Sequence, residues 1–213
     1  MTASLHHHPD GATLMAYAAG TLGEALSAVV AAHLGTCRTC RREVRLLASL
    51  GGGLLESLGG EALPAPDQSP ALPGDAPPVT AAVDASDRMP AIIQRRYGLK
   101  LGDVPWKSMG PGLAFHWLPL TEGIPGELRL IKVAAGRSIP EHAHGGSELT
   151  FVIQGGFHDI TGSYSPGDVQ DVDGDVAHTP VADPEGCICL VAAEAPAEFK
   201  GLLGRLVQPF TRR

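Results

Sequence analysis

The sequence predicts an α+β chain of two domains, a small helical bundle followed by an all-β barrel. Three observations carry this expectation. Residues 10–58 keep apolar side chains at helical spacing. Residues 59–90 lose that spacing and fill with proline, alanine, glycine and acids. From Ala91 onward, short apolar runs alternate with Gly and Pro clusters. The expected boundaries are 1–60 for the helical domain, 61–90 for a linker and 91–213 for the β domain.

In the first part, Leu14, Tyr17 and Ala18 share a helical face and Gly20 closes that piece. Thr21-Leu22-Gly23-Glu24 has the pattern of a capping box, in which the threonine accepts from a free amide and the glutamate reaches back. A second helix is expected over residues 22–34, broken by Gly35-Thr36. A third should start near Cys37 and run through Arg45 to about Leu50, where Gly51-Gly52-Gly53 interrupts it. Residues 54–58 can add one more turn.

The linker carries prolines at 64, 66, 70, 73, 77, 78 and 90. Such a segment buries too little apolar surface to order itself and is expected to be extended, with at most a helical turn at 79–83. Strands are expected at 113–118, 127–134, 149–154, 157–160, 169–172 and 187–192. Their short spacing favours a closed or double-sheet architecture. Residues 199–210 are apolar enough to pack back onto it.

The net charge of -7 is unevenly spread: the linker carries one Lys/Arg against five Asp/Glu. No region is a basic footprint for nucleic acid. No apolar run reaches the ~18 residues of a membrane span, and residues 1–10 lack the apolar core of a secretory signal. A cytoplasmic protein is expected, without a disulfide framework for its four cysteines.

The stretch from 136 to 155 reads Gly136-x5-His142-x-His144-x3-Glu148-x6-Gly155. Alternation along a strand sends His142 and His144 to one side, and Glu148 stands at the entrance to the next strand. Two imidazoles and a carboxylate make a mixed N/O set for one divalent ion. Pro166-Gly167 suits the centre of a type II turn before Asp168, and His178 can supply a fourth ligand from a distant strand. The pattern resembles the two cupin motifs at every marked position. That resemblance implies a jelly-roll barrel holding Zn, Fe, Mn or Ni on His142, His144, Glu148 and His178, with self-association into a homodimer as a further expectation.

A second ligand set lies in the helical part, at His33-x3-Cys37-x-x-Cys40. Cys-x-x-Cys across a helix start lets two thiolates face one ion, where the helix N-terminus favours negative charge. A structural zinc takes four ligands, and His6, His7 and His8 are all available for the fourth place.

This half resembles the zinc-containing anti-sigma domains. Leu14-Met-Ala-Tyr17-Ala-Ala-Gly20-Thr-Leu-Gly-Glu24-Ala-Leu, followed by His33, Cys37 and Cys40, resembles the ChrR anti-sigma factors, in which a cupin domain follows as it does here. The family's upstream histidine precedes the His-x3-Cys histidine by 25 residues, which selects His8. The family usually has a fourth amphipathic helix after the third, where this chain has its Pro-rich linker.

The resemblance implies that the helical domain binds an extracytoplasmic-function sigma factor and hides its polymerase-binding surface. It also implies a cupin domain needed for the response to an oxidant, singlet oxygen or peroxide. Direct contact with nucleic acid or membrane is not expected. A competing reading is a metal-dependent cupin dioxygenase or isomerase with the zinc module as a docking domain; a third is a plain small-ligand binder. The regulatory, non-enzymatic reading leads, because a catalytic cupin has no need of His33, Cys37 and Cys40.

Cys187 and Cys189 sit two apart on an expected strand, so their thiols share a face. They read either as small buried hydrophobes or as an oxidant-sensitive pair near the cupin metal. His116 and His158 lie outside both motifs and read as structural.

Overall fold

The computed structural model describes residues 5–58, 84, 87–174 and 176–199. Most of the segment assigned as a linker, the turn expected at 79–83 and the apolar tail beyond 199 lie outside the described residues.

Helix α1 (Gly11–Ala18) starts at Asp10, whose carboxylate accepts from the Thr13 amide at 2.6 Å. Helix α2 (Glu24–Thr36) lacks the expected capping box. Gly23 is its N-cap, the Thr21 hydroxyl donates to the Ala16 carbonyl, and Glu24 instead accepts from the Thr121 amide and pairs with Arg96. Tertiary partners for the charged carboxylate have displaced the local cap.

Helix α3 (Arg38–Ser57) runs unbroken through Gly51-Gly52-Gly53, against the expected interruption. Each glycine costs about 1 kcal/mol of helix propensity relative to alanine, but none has a positive φ, so the backbone has no reason to leave the helix. A further helix, α4 (Ala91–Tyr97), stands where strands were expected to begin. Pro90 precedes it, Gly98 closes it in the left-handed conformation, and it packs against α2.

Apart from a short 3-10 helix at Leu101–Asp103, the remaining regular structure is antiparallel β. A seven-stranded sheet comprises β1 (Lys107–Gly110), β2 (Leu113–Trp117), β3 (Glu127–Val133), β5 (Glu148–Asp159), β6 (Gly162–Tyr164), β7 (Val169–Val172) and β8 (Val181–Ala193). The order runs β1-β2-β3-β8-β5-β6, with β7 also paired to β5. A second sheet pairs β4 (His142–Ala143) with β9 (Glu198–Phe199). The strands expected at 149–154 and 157–160 are one bent strand, β5. Gly155, at φ 70°, marks the bend, and any Cβ there would run into the Gly186 carbonyl of β8.

Helix α2 is buried on almost every side. Ala25, Leu26, Val29 and Val30 are at most 3% exposed, and the helix lies across β8 and β5. Each fully buried Leu or Val contributes about 1.5–3 kcal/mol. One apolar cluster therefore joins the helices to the sheet, with Leu14, Leu26 and Ile93 packed in the same group as Leu128, Leu149 and Leu190. No helix among the described residues is long and apolar enough to cross a membrane.

Two candidate metal centres

The first centre forms where α2 ends and α3 begins. Cys37 is the N-cap of α3, and its sulfur accepts from the Cys40 amide at 3.4 Å. That geometry turns both sulfurs toward His33 in the last turn of α2. His8 arrives on an extended segment from the N-terminus, and of the three neighbouring histidines it is the one that reaches the cluster.

The distances suit a tetrahedral ion. Zn–N and Zn–S bonds of about 2.05 and 2.3 Å imply tetrahedron edges of about 3.3 Å for N···N and about 3.6 Å for N···S. His8 Nδ1 lies 3.3 Å from His33 Nε2, 3.6 Å from Cys37 Sγ and 3.4 Å from Cys40 Sγ. His33 Nε2 lies 3.4 Å from Cys40 Sγ. Burial and the adjacent Cys37 thiol push the Cys40 thiol up to about 12, and burial lowers His33 below its ordinary value. Without a cation the thiolate is disfavoured here; a bound dication supplies the missing charge.

The second centre lies in the barrel. His142 on β4, His144 just beyond it, Glu148 at the start of β5 and His178 on a bridge to His142 are all buried, with ligand atoms within 4.8 Å of one another. His142 Nδ1 donates to the Pro140 carbonyl at 2.9 Å, which leaves its Nε2 lone pair for a metal. His178 Nδ1 lies 2.7 Å from Asp159 Oδ2, which turns its Nε2 toward the centre, 3.2 Å from His144 Nε2. His144 Nδ1 is 3.3 Å from Glu148 Oε2 but out of line for a hydrogen bond, a buried nitrogen without such a partner among the described residues.

Burial holds His142 and His144 neutral, with pKa values lowered to about 4. Three buried imidazoles whose nitrogens converge beside a carboxylate suit a divalent cation. Burial by itself would raise the Asp159 carboxyl, but hydrogen bonds from His178, Thr161 and Gln170 outweigh it and hold the group well below the usual carboxylate range. Arg129 lies between Glu127, at 2.6 Å, and Glu148, at 3.5 Å, and sits over the Trp117 ring.

A cavity of about 60 Å³ adjoins this second centre. Phe115, Trp117, Ile131 and Phe157 line it together with His142, Glu148 and His178. Cys187 and Cys189 line it too, with their sulfurs 3.0 Å apart. The bond between the two thiols and their burial raise Cys189 well above the ordinary thiol value, which keeps it a thiol. His116 and His158 lie outside both clusters; His158 pairs at the surface with Asp183.

Three supporting groups were not among the expected site residues. Asp159 and Gln170 brace His178, and the Gly167 carbonyl accepts from His33 Nδ1 at 2.8 Å. Only the last lies within a segment the spacing had singled out, the turn at 166–168.

Residues 94–197 match a family model described as the ChrR Cupin-like domain, and residues 12–41 match one described as a putative zinc-finger. The chain is 39% identical over 221 residues to anti-sigma-E factor ChrR of Cereibacter sphaeroides, covering 98% of this chain and 99% of that protein. It also superposes, at a TM-score of 0.74 and 39% identity, on a chain in the crystal structure of Rhodobacter sphaeroides SigE in complex with the anti-sigma ChrR. That match covers 89% of this chain and 99% of the other.

Proposed function

This chain belongs to the ChrR family of anti-sigma factors, and from that premise we propose that it binds and inhibits an extracytoplasmic-function sigma factor and releases it on an oxidative signal. The helical part, 1–60, is the inhibitory domain, with zinc on His8, His33, Cys37 and Cys40. The barrel, 91–213, is the sensory domain, with a divalent ion (Zn, Fe, Mn or Ni) on His142, His144, Glu148 and His178. The protein works in the cytoplasm, where its partner meets RNA polymerase.

The far half of α3 is the observation that most supports a protein partner. Leu46, Leu50, Leu54 and Leu58 follow at intervals of four along one side of the helix and are 59–78% exposed, and Leu55 beside them is 72% exposed. A leucine stripe left in water along this helix suits capture of another protein's apolar surface.

The cavity weighs against a catalytic barrel. At about 60 Å³ it admits few non-hydrogen atoms, whereas substrate pockets run to several hundred Å³. A small, uncharged oxidant fits it better. Cys187 and Cys189 are then the candidate redox pair, reached from the same cavity as the metal ligands.

The test is co-purification from the native cell with a reporter on the sigma factor's own promoter. A sigma factor should come down with the chain, and the reporter should rise when the chain is deleted. A deletion strain with an unchanged reporter, or turnover of a small substrate by the purified barrel, would overturn the reading.

A further inference from the structure

One centre lies in the helices and one in the barrel, yet one short piece of barrel is linked to both. The segment 165–168 is a tight turn, closed by the Asp168 amide donating to the Ser165 carbonyl at 2.9 Å. Gly167 in this turn has φ 97°, which presents its carbonyl outward to His33. A carbonyl only accepts, so the His33 proton stays on Nδ1 and Nε2 is left to face the sulfurs.

The next residue holds the segment that carries His8. One carboxylate oxygen of Asp168 accepts from the amides of His6, at 2.8 Å, and His7, at 3.2 Å. The Val169 amide donates to the His7 carbonyl at 3.2 Å, and Asp171 accepts from the Asp10 amide at 3.0 Å. The His7 ring lies 4.4 Å from that of Tyr164. Residues 6–10 are thus strapped to the barrel on both sides of His8. Two of the four candidate zinc ligands, His8 and His33, take their positions from barrel atoms.

Between Val169 and Asp171 stands Gln170, 1% exposed. Its amide donates to Asp159 Oδ2 at 2.8 Å, the same oxygen that His178 meets at 2.7 Å. The chain of contacts from His178 through Asp159, Gln170 and the backbone of 167–170 to His33 and His8 has no gap.

We propose that segment 167–171 couples the two metal centres, so that an ion on His178 and its partners strengthens the hold on zinc through Gly167 and Asp168. An ion at His178 fixes Asp159, Asp159 fixes Gln170, and a fixed β7 keeps the strap and the His33 partner in place. By linkage, zinc on His8 and His33 strengthens the barrel's hold on its own ion to the same degree. Asp168 and Gln170 are positioning residues that touch neither ion. The inference rests on the reading of both clusters as metal centres.

The test uses the full chain with Co²⁺ at the thiolate site, where sulfur-to-metal charge transfer reports ligand geometry and metal loss. Release to a chelator is timed with the barrel site filled and with it emptied by Glu148→Ala, loading being checked by metal analysis. Emptying the barrel should speed release about tenfold, within the usual range of coupling between sites. In Gln170→Leu, which should still load both sites, the ratio of release rates from emptied and filled barrels should shrink toward one. Asp168→Asn should speed release whichever state the barrel is in and should alter the charge-transfer band. Equal release rates from filled and emptied wild-type barrels, a comparison that needs neither Asp168→Asn nor Gln170→Leu to fold, would overturn the coupling while leaving two metal centres intact. Failure of either site to take up metal would overturn both the coupling and the reading beneath it.

Discussion

Asp159 Oδ2 lies 2.7 Å from His178 Nδ1, and both side chains are 1% exposed. A carboxylate behind a histidine fixes the ring's tautomer and makes the opposite nitrogen more basic. Asp159→Asn keeps the shape and removes the charge. Metal affinity at the barrel site should fall about 10–100-fold, the usual cost of losing such a partner. Competition with a chelator of known affinity in the purified full chain measures it; an unchanged affinity would show that the pair only fills space.

An acid limit follows from the same centre in its metal-free form. Burial lowers His142 and His144 to about 4, against about 6.5 in an unfolded chain. The folded values lie below the unfolded ones, so on acidification the unfolded state takes up protons first. The contribution of these groups is intact above about pH 6.5, declines as the pH falls toward 4 and changes no further below that. One imidazole accounts for on the order of 3 kcal/mol, and the interacting pair for less than twice that. Urea unfolding of the metal-free chain at pH 7 and pH 5 should show the loss, and bound metal should move it to lower pH. Equal stability at the two values would contradict the burial of neutral rings.

The leucine stripe on α3 gives a prediction that separates binding from folding. Leu50 and Leu54 are 59% and 68% exposed, so Leu50→Asp with Leu54→Asp should change stability by no more than about 0.5 kcal/mol per site. Affinity for the sigma factor should fall at least about tenfold if these leucines anchor the contact. Ile160, 85% exposed on the barrel side, is the control: Ile160→Asp should bind normally. Calorimetric titration with the co-purified sigma factor decides, and full affinity in the double variant would place the interface elsewhere.

The local parts of both clusters were legible in the sequence, whereas only the family resemblance selects His8 among His6, His7 and His8, and His178 comes from a distant β-bridge. Alternation places His142 and His144 on one side, and one helical turn separates Cys37 from Cys40. Five of the strands were legible for the same reason: β2, β3 and β7 near their observed spans, β5 as two pieces, and β8 only over its second half. What stayed hidden was decided by tertiary contact. Glu24 left its cap for Thr121, 97 residues away. Helix α3 crossed three glycines that local propensity would have stopped. Asp159 and Gln170 look like any polar strand residues until the fold brings His178 against them. The Gly167–His33 contact spans 134 residues, a distance over which no spacing rule reaches.

The two clusters predict two ions per full-length chain, as their ligand counts require. Cys40→Ser should leave one ion, because the remaining three ligands do not close a structural zinc site. Elemental analysis after reconstitution gives the number. Sigma binding should disappear in the same variant, since the junction of α2 and α3 is organised around that site. One ion per wild-type chain, or undiminished sigma binding by zinc-free Cys40→Ser, would remove the basis for an inhibitory zinc domain.

The last prediction concerns sensing. Deleting residues 91–213 is a poor probe, because it also removes the Gly167 and Asp168 atoms that position His33 and the strap. Point changes in the barrel site avoid that damage. With His142→Ala or Glu148→Ala in the full chain, the ratio of reporter activity with and without singlet oxygen or organic peroxide should fall to about one. Coupling through segment 167–171 adds a direction: the basal level should rise, because an empty barrel holds the zinc site less firmly and the inhibitory helices with it. An enzymatic barrel leads to the opposite expectation, a lost turnover with transcription unaltered. Normal induction in Glu148→Ala, with metal analysis confirming an empty barrel, would move the sensor to Cys37 and Cys40, whose sulfurs are themselves oxidisable.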